Sequence, residues 1–148
     1  MEMSEIVEIS RTFEGVLVVI PDKRSGLPEL AWGDAFLYYA PDGVMPERTQ
    51  PYATIVTKDY PDDRDSRLDE PGRFRVNIHV GLDVAGQLAD AIADPAATDR
   101  FTLHPLYGGA GWVSVVNPGA ATSVQVVELL QNAHEAARAR AARRTNDE

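Results

Sequence analysis

The chain contains no cysteine, which removes disulfides, thiol nucleophiles and thiolate metal sites together. Histidine is scarce, and the three present, His79, His104 and His134, show no metal-ligand spacing. No apolar run approaches the roughly 20 residues of a membrane span. The opening residues Met1-Glu2-Met3-Ser4-Glu5 are acidic where a secretory leader is basic. These absences point to a soluble cytoplasmic protein with no membrane partner and no metal or other cofactor. Positive charge is also in deficit: 14 Lys and Arg stand against 23 Asp and Glu, a net charge of -9, which repels phosphate backbones and disfavours nucleic acid as a partner. There is no internal repeat, no low-complexity tract and no linker long enough to separate a pair of domains. A Gly-x-Ser-x-Gly elbow is missing. Gly108-Gly109-Ala110-Gly111 precedes a strand pattern rather than joining a strand to a helix, so it reads as a flexible turn and not a phosphate cradle.

What is present suits one domain. At 148 residues the chain is long enough to bury a core without staples, and residues 1–148 read as a single unit with a frayed tail over 139–148. Ser4 offers an N-cap for a short helix with Ile6, Ile9 and Phe13 on one face. Residues 16–20 and 36–39 are β-branched and aromatic runs, closed by Pro21 and by Pro41-Asp42-Gly43, and read as strands. A third strand pattern covers 52–57. Asp83 caps a predicted helix carrying Val84, Leu88 and Ile92, ended by Asp94-Pro95. Residues 96–111 look irregular, and 112–116 form the last strand. Thr122 with Gln125 makes a capping box for a closing helix. Its stripe is Val126, Val127, Leu130, Ala133 and Ala137, and Arg138, Arg140, Arg143 and Arg144 suit its negative pole.

The cleanest alternation lies at residues 74–80. Phe74, Val76, Ile78 and Val80 point one way and Arg75, Asn77 and His79 the other. If helices cover one side of the sheet, this polar row lies open on the other. Arginine supplies a bidentate anion clamp, asparagine both a donor and an acceptor, and histidine a group titrating near neutrality. The same alternation is what any solvated sheet face shows. His104, before Pro105 and close to Tyr107, is either a base or ligand-binding group or a turn-fixing one; His134 reads as helix surface or packing. The acidic stretch Asp59, Asp62, Asp63, Asp65, Asp69 and Glu70 resembles a calcium loop in spacing. However, Pro61 and Arg64 occupy its third and sixth positions, and Lys58, Arg64 and Arg67 neutralise it, so an exposed loop with internal ion pairs is the better account.

Several blocks together carry a family resemblance: Trp32-Gly33-Asp34-Ala35-Phe36, Gln50-Pro51-Tyr52-Ala53-Thr54-Ile55-Val56-Thr57, Ser66-Arg67-Leu68-Asp69-Glu70-Pro71-Gly72, Arg73-Phe74-Arg75-Val76-Asn77-Ile78, and His104-Pro105-Leu106-Tyr107 before Trp112. They resemble a bacterial group, domain-of-unknown-function family 6194, over nearly the whole chain. The Pro-x-Tyr, the Trp-Val strand and the Leu-Leu-x-x-Ala helix are also similar to MmcQ/YjbR-like proteins, over about a third of it. That second resemblance implies an antiparallel sheet with flanking helices and, by fold label alone, DNA binding.

The expectation is therefore an α+β domain: a mostly antiparallel sheet of about five strands with the N- and C-terminal helices packed on one face. The leading functional expectation is a non-enzymatic binding or interaction module, with a homodimer as candidate assembly, using the uncovered sheet face or an exposed strand edge, and no residue marked as catalytic. The alternative is a pocket or enzyme for a small anionic ligand, built on Arg75, Asn77, His79, His104 and Tyr107.

Overall fold

A computed structural model of the chain describes residues 1–90 and 92–146. Its elements are α1 (Met3–Ser10), β1 (Val16–Val19), β2 (Ala35–Tyr39), β3 (Ala53–Val56), β4 (Arg75–His79), α2 (Leu82–Leu88), β5 (Thr102–Leu103), β6 (Trp112–Val116) and α3 (Ser123–Asn146). The fold is α+β, with one sheet of six strands in the order β1-β2-β3-β4-β6-β5, and every strand pair in it is antiparallel. The sixth strand is the short β5, inside a stretch whose sequence looks irregular. Two residues are too few for any periodicity to register, and pairing of Thr102 with Ser114 and Leu103 with Val113 creates the strand.

Alternation along the strands sorts the side chains to two faces. Ala35 and Leu37, Ala53 and Ile55, Val76 and Ile78, and Val113 and Val115 point to the helical side, where Ile6, Val126, Leu130 and Ala133 complete the core. Leu129 takes the place in the α3 stripe expected of Val127; Leu129 is 7 % exposed, whereas Val127 is half-buried. His134 belongs to the same stripe. Its Nε2 lies 2.7 Å from the Glu14 carbonyl and its Nδ1 3.0 Å from the Tyr52 hydroxyl, so it packs in the interior and is not on the helix surface.

The helix ends differ from the caps expected of the sequence, and α3 takes its cap from a distant loop. Around α1, Glu2 and Glu5 form the reciprocal cap in place of Ser4. The α2 helix starts after Gly81 rather than Asp83 and stops at Leu88, leaving Ile92 exposed. In front of α3 the Asp99 carboxylate accepts hydrogen bonds from the backbone N–H of Gly119, Ala121 and Thr122 and from the Thr122 hydroxyl. A remote loop thus does the work assigned to a Thr122–Gln125 box. The Thr122 hydroxyl and these backbone donors hold the Asp99 carboxyl below its usual range. Asp99→Ala is expected to cost about 1 kcal/mol, the worth of a typical N-cap, measured by urea unfolding. The α3 helix runs through Asn146, so 139–146 is helix in place of the frayed tail that the sequence suggests, and 147–148 lie outside the described residues.

The two loops that matter for the sheet differ in how far they match expectation. Gly108–Ala110 takes the form of a single 3-10 turn, and Gly111 after it has φ +90° with Gly81 backbone atoms 2.7–2.8 Å from where a Cβ would stand. The loop over 58–72 is not simply exposed: Ser66 and Leu68 are 1 % and 2 % exposed. It lies across the face of the sheet that no helix covers.

Candidate ligand-binding site

The second face of the sheet carries Phe36, Thr54, Asn77, Ser114 and Thr102 as one row, because the register pairs each with the next across β2, β3, β4, β6 and β5. Asn77 is the hub of that row. Its Oδ1 accepts from Ser114 Oγ at 2.7 Å and from Arg75 Nε at 2.8 Å, and its Nδ2 donates to Thr54 Oγ1 at 3.0 Å. Cross-strand polar pairs of this kind fix the register as well as the side-chain directions.

The alternation predicts Arg75 and Asn77 open to solvent; they are instead 1 % and 2 % exposed. No helix buries them. The loop over 58–72 does, because Arg75 draws it down. Both guanidinium arms grip the Asp63 carboxylate, Nη1 also donates to Ser66 Oγ at 2.9 Å, and Nη2 lies 3.4 Å from His104 Nε2. With Nε on Asn77, the fork of donors is nearly saturated by the protein itself. The bidentate clamp that the sequence offers to a ligand anion is thus taken by Asp63. Burial pushes the Asp63 carboxyl up, but the hydrogen bonds and charge of Arg75 outweigh it and hold the group below its usual value. The loop is pinned at its base as well. Asp34, fully buried, accepts from Thr57 N at 2.9 Å, Thr57 Oγ1 at 2.6 Å, Lys58 Nζ at 3.0 Å and the Tyr60 hydroxyl at 2.6 Å. Burial first, and Asp34 second, push the Tyr60 phenol up.

Between the sheet and this roof is a cavity of about 730 Å³. Arg75, Asn77, His79, His104 and Tyr107, the residues nominated from sequence, all line it. So do six aromatic side chains: Phe36, Tyr38, Tyr52, Tyr60, Tyr107 and Trp112. Four of the chain's five tyrosines face this one space, which marks it as more than leftover volume, since ligand sites are concave and lined by aromatic groups with a few placed polar ones. His79 sits beside Trp112, ring centroids 5.6 Å apart, and no hydrogen bond ties its ring among the described residues. Tyr107 is at the rim, 54 % exposed, with its ring 4.8 Å from that of His104.

His104 is held in one orientation. Its Nδ1 accepts from the backbone N–H of both Leu106 and Tyr107 at 3.1 Å. Burial, then the neighbouring Arg75 charge, push its pKa down to about 4, with Asp63 opposing them. The imidazole is therefore neutral at pH 7, and with Nδ1 serving as acceptor the ring proton sits on Nε2.

Sequence reasoning missed Arg140. Placed by its position near the end of α3 as a partner of the helix dipole, it is a cavity residue, and burial, then the charges of Arg144 and Arg143, push its pKa down. Arg138 pairs with Glu135, while Arg140 forms no ion pair among the described residues. The α3 helix starts beyond the Val116 end of the sheet and runs back past Tyr52, so Arg140 enters the cavity at the Tyr52–His79 end. Within the acidic loop Asp59 accepts from Leu68 N and Asp69 from Asp59 N, but the expected internal ion pairs do not form among the described residues: Lys58 pairs with Asp34, Arg67 with Asp94, and Asp63 with Arg75 on β4. Among the described residues no group of three or more His, Asp or Glu side chains is placed to hold a metal ion.

A model of a family of unknown function, DUF6194, matches residues 1–146. The chain belongs to that family. The match spans all the elements that build the cavity, from β2 through the Arg140 end of α3. No curated protein and no solved structure matches the chain. The likeness of the C-terminal part to MmcQ/YjbR-like proteins gains nothing from these comparisons, and the α+β fold rests on the structure alone.

Proposed function

We propose that this DUF6194 protein binds a small, flat, aromatic-compatible molecule in the cavity between its sheet and the loop over 58–72. The observation that carries this reading is the convergence of six aromatic side chains and the polar row on one roofed space of about 730 Å³, a volume in the range of small-molecule sites. A flat polar face would have favoured a protein partner. This one is concave and built over by its own loop, so it supports a ligand. Binding rather than catalysis is the simpler role, because Asp63 is spent on Arg75 and His104 is held neutral. Self-association through the free edge of β1 is compatible with it, and a net charge of -9 argues against nucleic acid. A cytoplasmic setting fits the absence of cysteine; among the described residues no helix is long and apolar enough to cross a membrane.

A thermal-shift screen of planar aromatic compounds tests the reading. A ligand at about 100 times its Kd stabilises the folded state by about 2.7 kcal/mol, which raises Tm by roughly 5–10 °C in a chain of this size. Ala110→Trp, at an exposed position of the cavity rim, is expected to remove that shift. A hit that survives Ala110→Trp and perturbs neither Trp112 nor Tyr107 by NMR would place binding elsewhere and defeat the proposal.

A further inference from the structure

The hydrogen bonds around His104 hold an inconsistency that a ligand would resolve. Its Nδ1 is an acceptor twice over, for Leu106 N and Tyr107 N, so the neutral ring must carry its proton on Nε2. That Nε2–H faces Arg75 Nη2 at 3.4 Å, and a guanidinium nitrogen only donates. Two donors are therefore opposed, in side chains 7 % and 1 % exposed, on the wall of a cavity. No carboxylate or carbonyl among the described residues accepts from Nε2. Buried donors in folded proteins are almost always satisfied, so an acceptor from outside the chain belongs beside the pair, on the cavity side, where it can accept from both.

The charge at that place says which acceptor. Asp63 lies on the same guanidinium with both oxygens, so the pair is close to neutral and a second carboxylate would meet Asp63 at short range. An uncharged oxygen fits. Charge is available instead from Arg140, which has no ion-pair partner among the described residues and enters at the Tyr52–His79 end. Aromatic walls lie between the two.

Building on the pocket reading above, we infer that the ligand is a planar ring with two features: an uncharged carbonyl oxygen placed beside His104 Nε2 and Arg75 Nη2 to accept from both, and an anionic substituent directed to Arg140. The carbonyl specifies the orientation, and the anion supplies attraction at the mouth.

Three probes test this by isothermal titration: 7-carboxymethoxycoumarin, its methyl ester, and the 2H-chromene analogue in which the ring carbonyl is a methylene. The carbonyl is expected to be worth roughly tenfold or more in Kd, the usual consequence of leaving buried donors unmet. The free acid is expected to bind several-fold tighter than its ester, as a partly screened charge pair allows. His104→Asn keeps an acceptor oxygen for Leu106 and Tyr107 N–H but has no donor where Nε2 stood, so coumarin and chromene should then bind alike. Arg140→Ala should make acid and ester alike while leaving the carbonyl preference intact. A long-range 1H–15N spectrum of the wild type should show the His104 proton on Nε2. Equal binding of coumarin and chromene by the wild type, or a proton on Nδ1, overturns the carbonyl assignment while leaving the pocket in place. Binding of none of the three probes, with the screen above also empty, overturns both.

Discussion

Asp63→Ala is expected to destabilise the protein by about 3 kcal/mol, the scale for stranding a buried charge, which lowers Tm by roughly 6–12 °C at this chain length. The charge stranded is the guanidinium of Arg75, 1 % exposed on β4, and a strand in the middle of the sheet cannot move to rehydrate it. The converse change is milder. Asp63 belongs to a loop, and in Arg75→Met that loop can lift to return the carboxylate to water. The double variant Asp63→Ala/Arg75→Met is thus expected to be more stable than Asp63→Ala alone, a coupling that a double-mutant cycle by chemical denaturation reads directly. Limited proteolysis supplies the second readout: Asp63→Ala should open cleavage within 58–72, whereas the Asp34 anchor at the loop base should keep cleavage away from 57–60. Strictly additive single and double variants would mean that the ion pair does not hold the roof.

The second large effect is on pH. His104 in the folded protein has its pKa pushed down to about 4 from an ordinary 6.5. Between those values the unfolded chain takes up a proton that the folded chain refuses. Stability therefore falls as pH drops from about 6.5 to about 4, by up to about 3 kcal/mol, and levels off below. Asp63, with its pKa lowered from 3.8, acts in the same direction but at lower pH, its contribution being lost as the carboxylate protonates. In His104→Asn the slope between pH 6.5 and 4 should largely vanish while the acid limb from Asp63 and Asp99 remains. His79 and His134 are common to both proteins, so the difference between the two curves isolates His104. Parallel curves for wild type and variant would show that the buried imidazole is not what couples this fold to pH.

Much of the site was legible because sheet geometry is a period-two code. The alternation at 74–80 correctly puts Arg75, Asn77 and His79 on one face, and the same rule carried into Trp112-Val113-Ser114-Val115-Val116 and into Phe36-Leu37-Tyr38 would have added Trp112, Ser114, Phe36 and Tyr38. Arg140 left a weaker trace. On a helix with its core stripe at Val126, Leu130, Ala133 and Ala137, position 140 follows at the i+3 spacing of that stripe, but the i+4 spacing from His134 admits Arg138 as well, so the pattern does not single out Arg140. The roof left none. Nothing in the run of charges from Asp59 to Glu70 distinguishes Asp63, which reaches Arg75, from Asp62 or Asp65, because that choice depends on where a loop lands rather than on any local preference.

The amino-acid order alone determined the class of fold and, along β4, the shared face of Arg75, Asn77 and His79, since each follows from spacing along one element. The tertiary structure decided what that row means. Arg75 is a roof anchor instead of a free anion clamp, His104 has a fixed tautomer, and Asp99 reaches Thr122, 23 residues further on, to cap the closing helix. Those outcomes depend on which distant groups meet, and a buried donor or charge takes its role from the partner it finds rather than from its neighbours in the chain.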